Sequence, residues 1–323
     1  VSQYFLEHEE TYKPLVTAQQ WTDITNFEGN ANSLRILTHD FHGRPESQFA
    51  LTYSTIAALI KYPCSSLADG DKTKIYKKKY GFFESEENTF LKIATQLDML
   101  KMENEPLAYY RHPLSFLVEA ADDICYNIID IEDAHRLKIL SMDQVYQLLL
   151  PLLGDDRDKT MLRMEKLLDD NDKVSLLRAK AINVLVSKCA HAFWDNHDAI
   201  LSGTLNSDLK SCLDGATRKQ MEFIEEESKK LIYNYKSVIE KEIAGYQIIA
   251  GLLEEFIPAM LGTGKSKHYN EKLIKLIPIQ FTPDSGDSYS KIMSVLDYIS
   301  GMTDLYAVEL FRKIKGIAFP EFN

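Results

Sequence analysis

Residues 111–134, RHPLSFLVEAADDICYNIIDIEDA, constrain the fold more than any other stretch of the chain. Asp122, Tyr126 and Asp130 fall at i, i+4 and i+8, so on a 3.6-residue period they stack along one face of a helix. Leu114, Leu117, Val118, Ala121, Ile124, Cys125 and Ile128 form an apolar surface wide enough to bury most of the remaining circumference. The pattern predicts a core helix that carries its acids inward. A buried carboxylate is costly unless it is paired, hydrogen-bonded or bound to a metal. An internal salt bridge or a cap would satisfy that demand as well as a ligand site would.

The rest of the chain is dominated by helical periodicity, and the fold class it predicts is all-α. Helices are expected over 54–61, 86–102, 114–131, 142–152, 159–168, 174–190, 217–261 and 288–299. The seventh is too long for an ordinary globular helix and is expected to bend near Tyr233 to Tyr235 or at Gly245. The charged run 155–172 reads as a solvated helical hairpin. Only two β candidates stand out, a strand-like piece at 277–281 weakened by Pro278 and a hairpin around Arg44. The GTGKS word at 262–266 lacks both the longer glycine spacing of a phosphate loop and a preceding strand, so it reads as a polar connection.

Composition adds boundaries. At 323 residues and 45% hydrophobic content the chain can bury a large core. No apolar run approaches 18 residues, and the start VSQYFLEHEE has neither part of a signal peptide, so a cytoplasmic protein without a membrane span is expected. Cys64, Cys125, Cys189 and Cys212 are scattered without CxxC spacing, which predicts buried free thiols. A net charge of −11 argues against broad nucleic-acid affinity, although a local basic face can survive within it.

The words RHP, EAADDICY and DIEDA resemble the dGTPase family of HD-superfamily dNTP triphosphohydrolases in order and spacing. FEGNANSLRIL at 27–37, LTYSTIAALIKYP at 51–63, KKKYGFFESE at 77–86 and DYISGMTDLYAVELFRKIKG at 297–316 are similar to further blocks of that family in the same order. Colinear blocks of this length are far more specific than any single short motif. The resemblance implies a multi-helix HD-type core over 1–135, beginning upstream of Val1, and a helical extension over 136–323 that completes the nucleotide pocket and oligomer contacts.

It also implies a reaction, hydrolysis of a dNTP (dGTP or several dNTPs) to deoxynucleoside and intact triphosphate, and a divalent metal, Mg, Mn or another transition ion. Asp122 corresponds to the family's last metal-ligand aspartate. Asp123 points about 100° away and is expected to pair with a basic residue. Tyr126 corresponds to the tyrosine that closes on the deoxyribose, and Asp130 to the acid that accepts a hydrogen bond from the sugar 3′-hydroxyl. Lys61, Tyr62 and Asn30 correspond to residues near the triphosphate. Asp304 and Tyr306 could approach the nucleotide, or form no more than a capped helix start; His112 reads as a structural imidazole. The partners implied are a dNTP substrate, further copies in a homo-oligomer, and a nucleotide or single-stranded DNA effector.

One departure from the family pattern shapes the reading. The His and His-Asp pair that complete the family's metal site precede the FEGNA block in relatives. Here His39-Asp40 is the one such dipeptide before residue 111; it follows FEGNA, in a connection with Gly43 and Pro45. It therefore reads as loop, and the stretch from Val1 onward is expected to be inactive alone. The competing reading is a non-catalytic all-α nucleotide-binding or assembly module that has lost the metal site.

Overall fold

The computed structural model describes residues 1–43, 49–68, 70, 73–103, 105, 107–283 and 285–317. The hairpin expected around Arg44 falls outside them in part, since 44–48 are not among these residues. The described chain is all-α, with isolated β-bridges at Cys64–Ala108, Ser65–Phe82 and Lys101–Tyr109 in place of a sheet.

Among the described residues sixteen α-helices follow one another: α1 (Ser2–Glu7), α2 (Glu9–Tyr12), α3 (Ala18–Thr25), α4 (Gly29–Thr38), α5 (Tyr53–Leu59), α6 (Glu87–Gln96), α7 (Pro113–Arg136), α8 (Met142–Leu149), α9 (Arg157–Met164), α10 (Asp170–Asp195), α11 (His197–Leu201), α12 (Gly215–Ser228), α13 (Lys236–Leu261), α14 (Lys267–Ile274), α15 (Ser288–Ser300) and α16 (Asp304–Ile314). Local chemistry sets many of their starts. Thr17 and Ser141 each close a capping box with a glutamine three residues on, and Asp169 accepts from the first free N–H groups of α10.

The expected bend in 217–261 is present. A π-helical turn, Lys229–Tyr233, ends the run that began as α12, and α13 restarts at Lys236 and passes through Gly245 without a break. Three other expectations are corrected. The helix expected over 86–102 stops at Gln96 because Asp98 adopts φ 48°, the left-handed conformation that closes a helix end, and Met99 N–H turns back to the Ala94 carbonyl at 2.9 Å. The strand expected at 277–281 is a short 3-10 turn, Ile279–Phe281; Pro278 has no N–H for a ladder and no described strand lies beside it. Of the four free thiols, Cys64 and Cys189 are buried, but Cys125 is exposed and Cys212 only half-buried. The GTGKS segment is a helix junction: Gly262, at φ 79°, caps α13, Lys265 pairs with Glu255 at 2.9 Å, and Ser266 caps α14.

Burial divides into three clusters that do not follow chain order. Phe5, Tyr12 and Ile24 pack with Phe256, Ile292 and Leu310, so the first helices close on α13, α15 and α16. Phe116, Ile124, Ile128 and Ile131 of α7 pack with Leu149, Leu177, Leu185 and Ile224. Leu34, Ile56, Phe82 and Phe90 form a third. Arg35 ties two distant parts of the chain: Nε and Nη2 reach the Asp297 carboxylate at 2.8 and 2.7 Å, and Nη1 reaches Glu86 at 2.6 Å, all three residues being buried. Such a cluster persists only when every charge is answered by a partner. No described helix is long and apolar enough to cross a membrane.

Candidate nucleotide site

Helix α7 begins where His112 accepts the Leu114 N–H at 3.3 Å and Pro113 occupies the first helical position, which needs no donor. His112 is thus a capping imidazole, as its sequence context suggested. The helix lies along α10 and buries Phe116, Ala120, Ile124, Ile128 and Ile131.

Its acid stripe faces the other way, which corrects the expectation of an inward acid. The Asp122 side chain is 44% exposed, and Leu114, Ala121, Cys125, Tyr126 and Ile129 are exposed around it. The apolar surface read from the sequence is real, but α10 covers only part of it. The residues on the Asp122 side border open space.

That space is a cavity of about 590 Å³ lined by Asn30 and Ser33 of α4, Ile36, Leu37, Leu59, Lys61, and Val118, Ala121, Asp122 and Cys125 of α7. Three separate sequence blocks therefore meet on one wall. The Lys61 ammonium, 16% exposed, forms a direct ion pair with Asp122. Asn30 sits in the first turn of α4, where Glu28 accepts from its side-chain amide at 2.8 Å and also pairs with Lys79 at 3.1 Å.

Lys61 is held there through its backbone. Arg111 Nε donates to the Lys61 carbonyl at 2.6 Å, while Nη1 and Nη2 grip the two oxygens of Glu119 at 2.5 and 3.1 Å, and Nη2 reaches the Ile75 carbonyl at 3.3 Å. The guanidinium lies between the rings of Tyr62 and Phe116, 5.5 and 5.4 Å from their centres. Tyr62 therefore sits off the cavity wall, packed on the arginine that positions its neighbour. Gly81 presses on the same segment: a Cβ there would stand 2.1 Å from the Tyr62 carbonyl oxygen, so only glycine lets the strand of backbone pass.

Asp123 points toward α10 and the 205–215 connection. Burial is the main cause that pushes its carboxyl up to about 6; Lys210 opposes the shift, and Glu119 and Asp208 reinforce it. The expected direct basic partner is replaced by this more distant field, because Lys210 is itself paired with Glu225.

Tyr126 and Asp130 continue the stripe beyond the cavity. Tyr126 is 63% exposed. Asp130 accepts from the Tyr233 hydroxyl at 2.6 Å. Asp304 and Tyr306 instead form a capped helix start: Thr303 accepts the Tyr306 N–H at 3.3 Å, and the Tyr306 and Tyr298 hydroxyls meet at 3.1 Å. His39 ends α4, stacks edge-on against Phe41 and approaches Glu86 at 4.0 Å. Among the described residues no group of three or more His, Cys, Asp or Glu side chains is placed to hold a metal ion, so Asp122 is a single donor already answered by a lysine.

The sequence missed Arg111, Glu119 and Tyr233. Arg111 carries one local signal, its place directly before the His112–Pro113 helix start. The Tyr233 contact with Asp130 spans 103 positions, so the sequence marks Tyr233 only as a point of bending.

The structure is that of an all-α protein in which a lysine, an asparagine and a carboxylate converge on one open cavity. No family model matches the chain. Whole-chain comparison is more specific. The chain is 33% identical over 302 residues to a deoxyguanosinetriphosphate triphosphohydrolase-like protein of Pseudomonas aeruginosa, covering 93% of this chain and 68% of that one. A protein of the same description from Synechocystis sp. is 32% identical over 311 residues, covering 94% and 68%. The deoxyguanosinetriphosphate triphosphohydrolase of Salmonella paratyphi A is 27% identical over 339 residues, covering 91% and 64%. The chain belongs to the deoxyguanosinetriphosphate triphosphohydrolase-like family.

Proposed function

We propose that this chain supplies the dNTP pocket of a metal-dependent triphosphohydrolase, which releases deoxynucleoside and intact inorganic triphosphate from dGTP or from several dNTPs. The observation that carries the reading is the convergence of Asn30, Lys61 and Asp122 on one cavity, with Tyr126 and Asp130 on the next turns of the same helix. In this reading Lys61 and Asn30 meet the phosphates, and Tyr62 packs on the Arg111 that positions Lys61. Tyr126 closes on the sugar and Asp130 accepts its 3′-hydroxyl.

A divalent ion belongs to the proposal with Asp122 as one donor. A single carboxylate does not hold a catalytic ion, so further donors beside Asp122 belong to the same proposal.

Assembly of identical copies belongs to the same proposal. Ile239, Ile243 and Tyr246 recur at helical spacing along the outward face of α13, just after Tyr235 at its N-cap, and all four are exposed. Light scattering that shows a monomer at micromolar concentration would remove this part alone.

The test of the function is incubation of the full-length protein with each dNTP and with Mn or Mg, followed by separation of the products. Deoxynucleoside with inorganic triphosphate supports the proposal. A dNMP with pyrophosphate, or tight dNTP binding without turnover under any ion, refutes it, and the second outcome selects the non-catalytic nucleotide-binding module.

A further inference from the structure

The π-helical turn Lys229–Tyr233 is rare backbone, and it lies where the long helical run of the second core meets α7. Asn234 closes it by donating from its side chain to the Lys229 carbonyl at 2.7 Å. Ile232 is buried and anchors the turn in the core. The next side chain, Tyr233, is thereby sent outward, and its hydroxyl donates to Asp130 Oδ2 at 2.6 Å.

We propose that Tyr233 is the positioning residue for Asp130: its hydroxyl occupies Oδ2 and turns Oδ1 toward a ligand hydroxyl, so the break between α12 and α13 is a device for reading the sugar. This rests on the reading that Asp130 accepts the 3′-hydroxyl of a dNTP. An ionised carboxylate only accepts hydrogen bonds, and on an exposed helix face it turns freely about its last torsion. A donor fixed by another helix removes that freedom before the ligand arrives, so less order has to be created on binding. Burial, and next the Asp130 charge, raise the Tyr233 phenol above its usual range, which keeps it a donor throughout the neutral range.

The test is equilibrium binding of dGTP and of 2′,3′-dideoxy-GTP to the full-length protein in EDTA, with thermal melting as the control for folding. Tyr233→Phe keeps the ring and removes only the donor. It should weaken dGTP about three- to tenfold and leave the dideoxynucleotide and the melting temperature unchanged. Asp130→Asn should abolish the preference for dGTP, and the double variant should be no worse than Asp130→Asn alone. Equal losses for both nucleotides in Tyr233→Phe, or no loss for either while Asp130→Asn erases the preference, would overturn the role of Tyr233 and leave the sugar reading intact. If Asp130→Asn keeps the parental preference, the sugar reading itself falls and the inference goes with it.

Discussion

Arg111 Nε lies 2.6 Å from the Lys61 carbonyl, so the segment carrying the cavity's cation is fastened to the residue that precedes the helix carrying its carboxylate. The side chains of Lys61 and Asp122 meet because this backbone contact sets where their chains start.

Arg111→Lys should show the dependence. Lysine keeps the charge but cannot bond Glu119 through two nitrogens and the Lys61 carbonyl through a third. We predict a loss of about 2–4 kcal/mol in urea unfolding, since the grip of the buried Arg111 guanidinium on Glu119 is broken, together with weaker binding of inorganic triphosphate. Unchanged triphosphate affinity in a folded Arg111→Lys protein would detach Arg111 from the site.

Asp122 and Asp123 are neighbours in sequence and should behave oppositely. Without metal, Asp122→Asn frees the Lys61 ammonium, and inorganic triphosphate should bind about three- to tenfold more tightly. In the full-length protein with its ion, the same change should abolish turnover, while Asp123→Asn should change each assay much less. Calorimetric titration and product assay together check this; equal effects of the two substitutions would mean that the wrong carboxylate has been chosen.

Tyr126 is exposed enough that its removal should barely affect folding, by less than about 1 kcal/mol. Tyr126→Ala should narrow the gap in kcat/KM between a dNTP and the matching NTP, chiefly by weakening the dNTP. Proportional losses for both sugars would show that this ring does not read C2′.

Asp23 tests the core. It is fully buried and accepts from Ser66 at 2.5 Å, Tyr289 at 2.7 Å and the Glu84 N–H at 2.8 Å, yet burial outweighs these bonds and pushes its carboxyl up from 3.8 to about 6. With the folded value above the unfolded one, the native state binds more protons between the two. Stability attributable to this group is therefore fully present below about pH 4 and falls as pH rises to about 6, by roughly 2–3 kcal/mol. Urea midpoints across that window should show the fall, and Asp23→Asn should flatten it; an unchanged slope in Asp23→Asn would assign the dependence to another group.

The helical class, the existence of α7, and the bend near Tyr233 were legible because each is a local property. A 3.6-residue apolar period, a capping residue and a proline at a helix start act within one or two turns of backbone. The family resemblance was legible for a related reason: colinear blocks survive in a linear string. Asn30, Lys61 and Asp122 could be named from those blocks and are found on one wall.

The direction in which α7 faces was not local. Its sequence holds enough apolar surface to bury either side, and the choice was made by α10, which covers Phe116, Ile124 and Ile128 and leaves Asp122 and Tyr126 at the open cavity. The same holds for the contacts that join distant residues: Arg35 with Asp297 across 262 positions, Arg111 with Lys61 across 50, Tyr233 with Asp130 across 103. Sequence determined which elements form, since their energies arise between near neighbours in the chain. Only the tertiary structure decided which charges meet and which face stays open, because those depend on packing between helices whose separation no local pattern records.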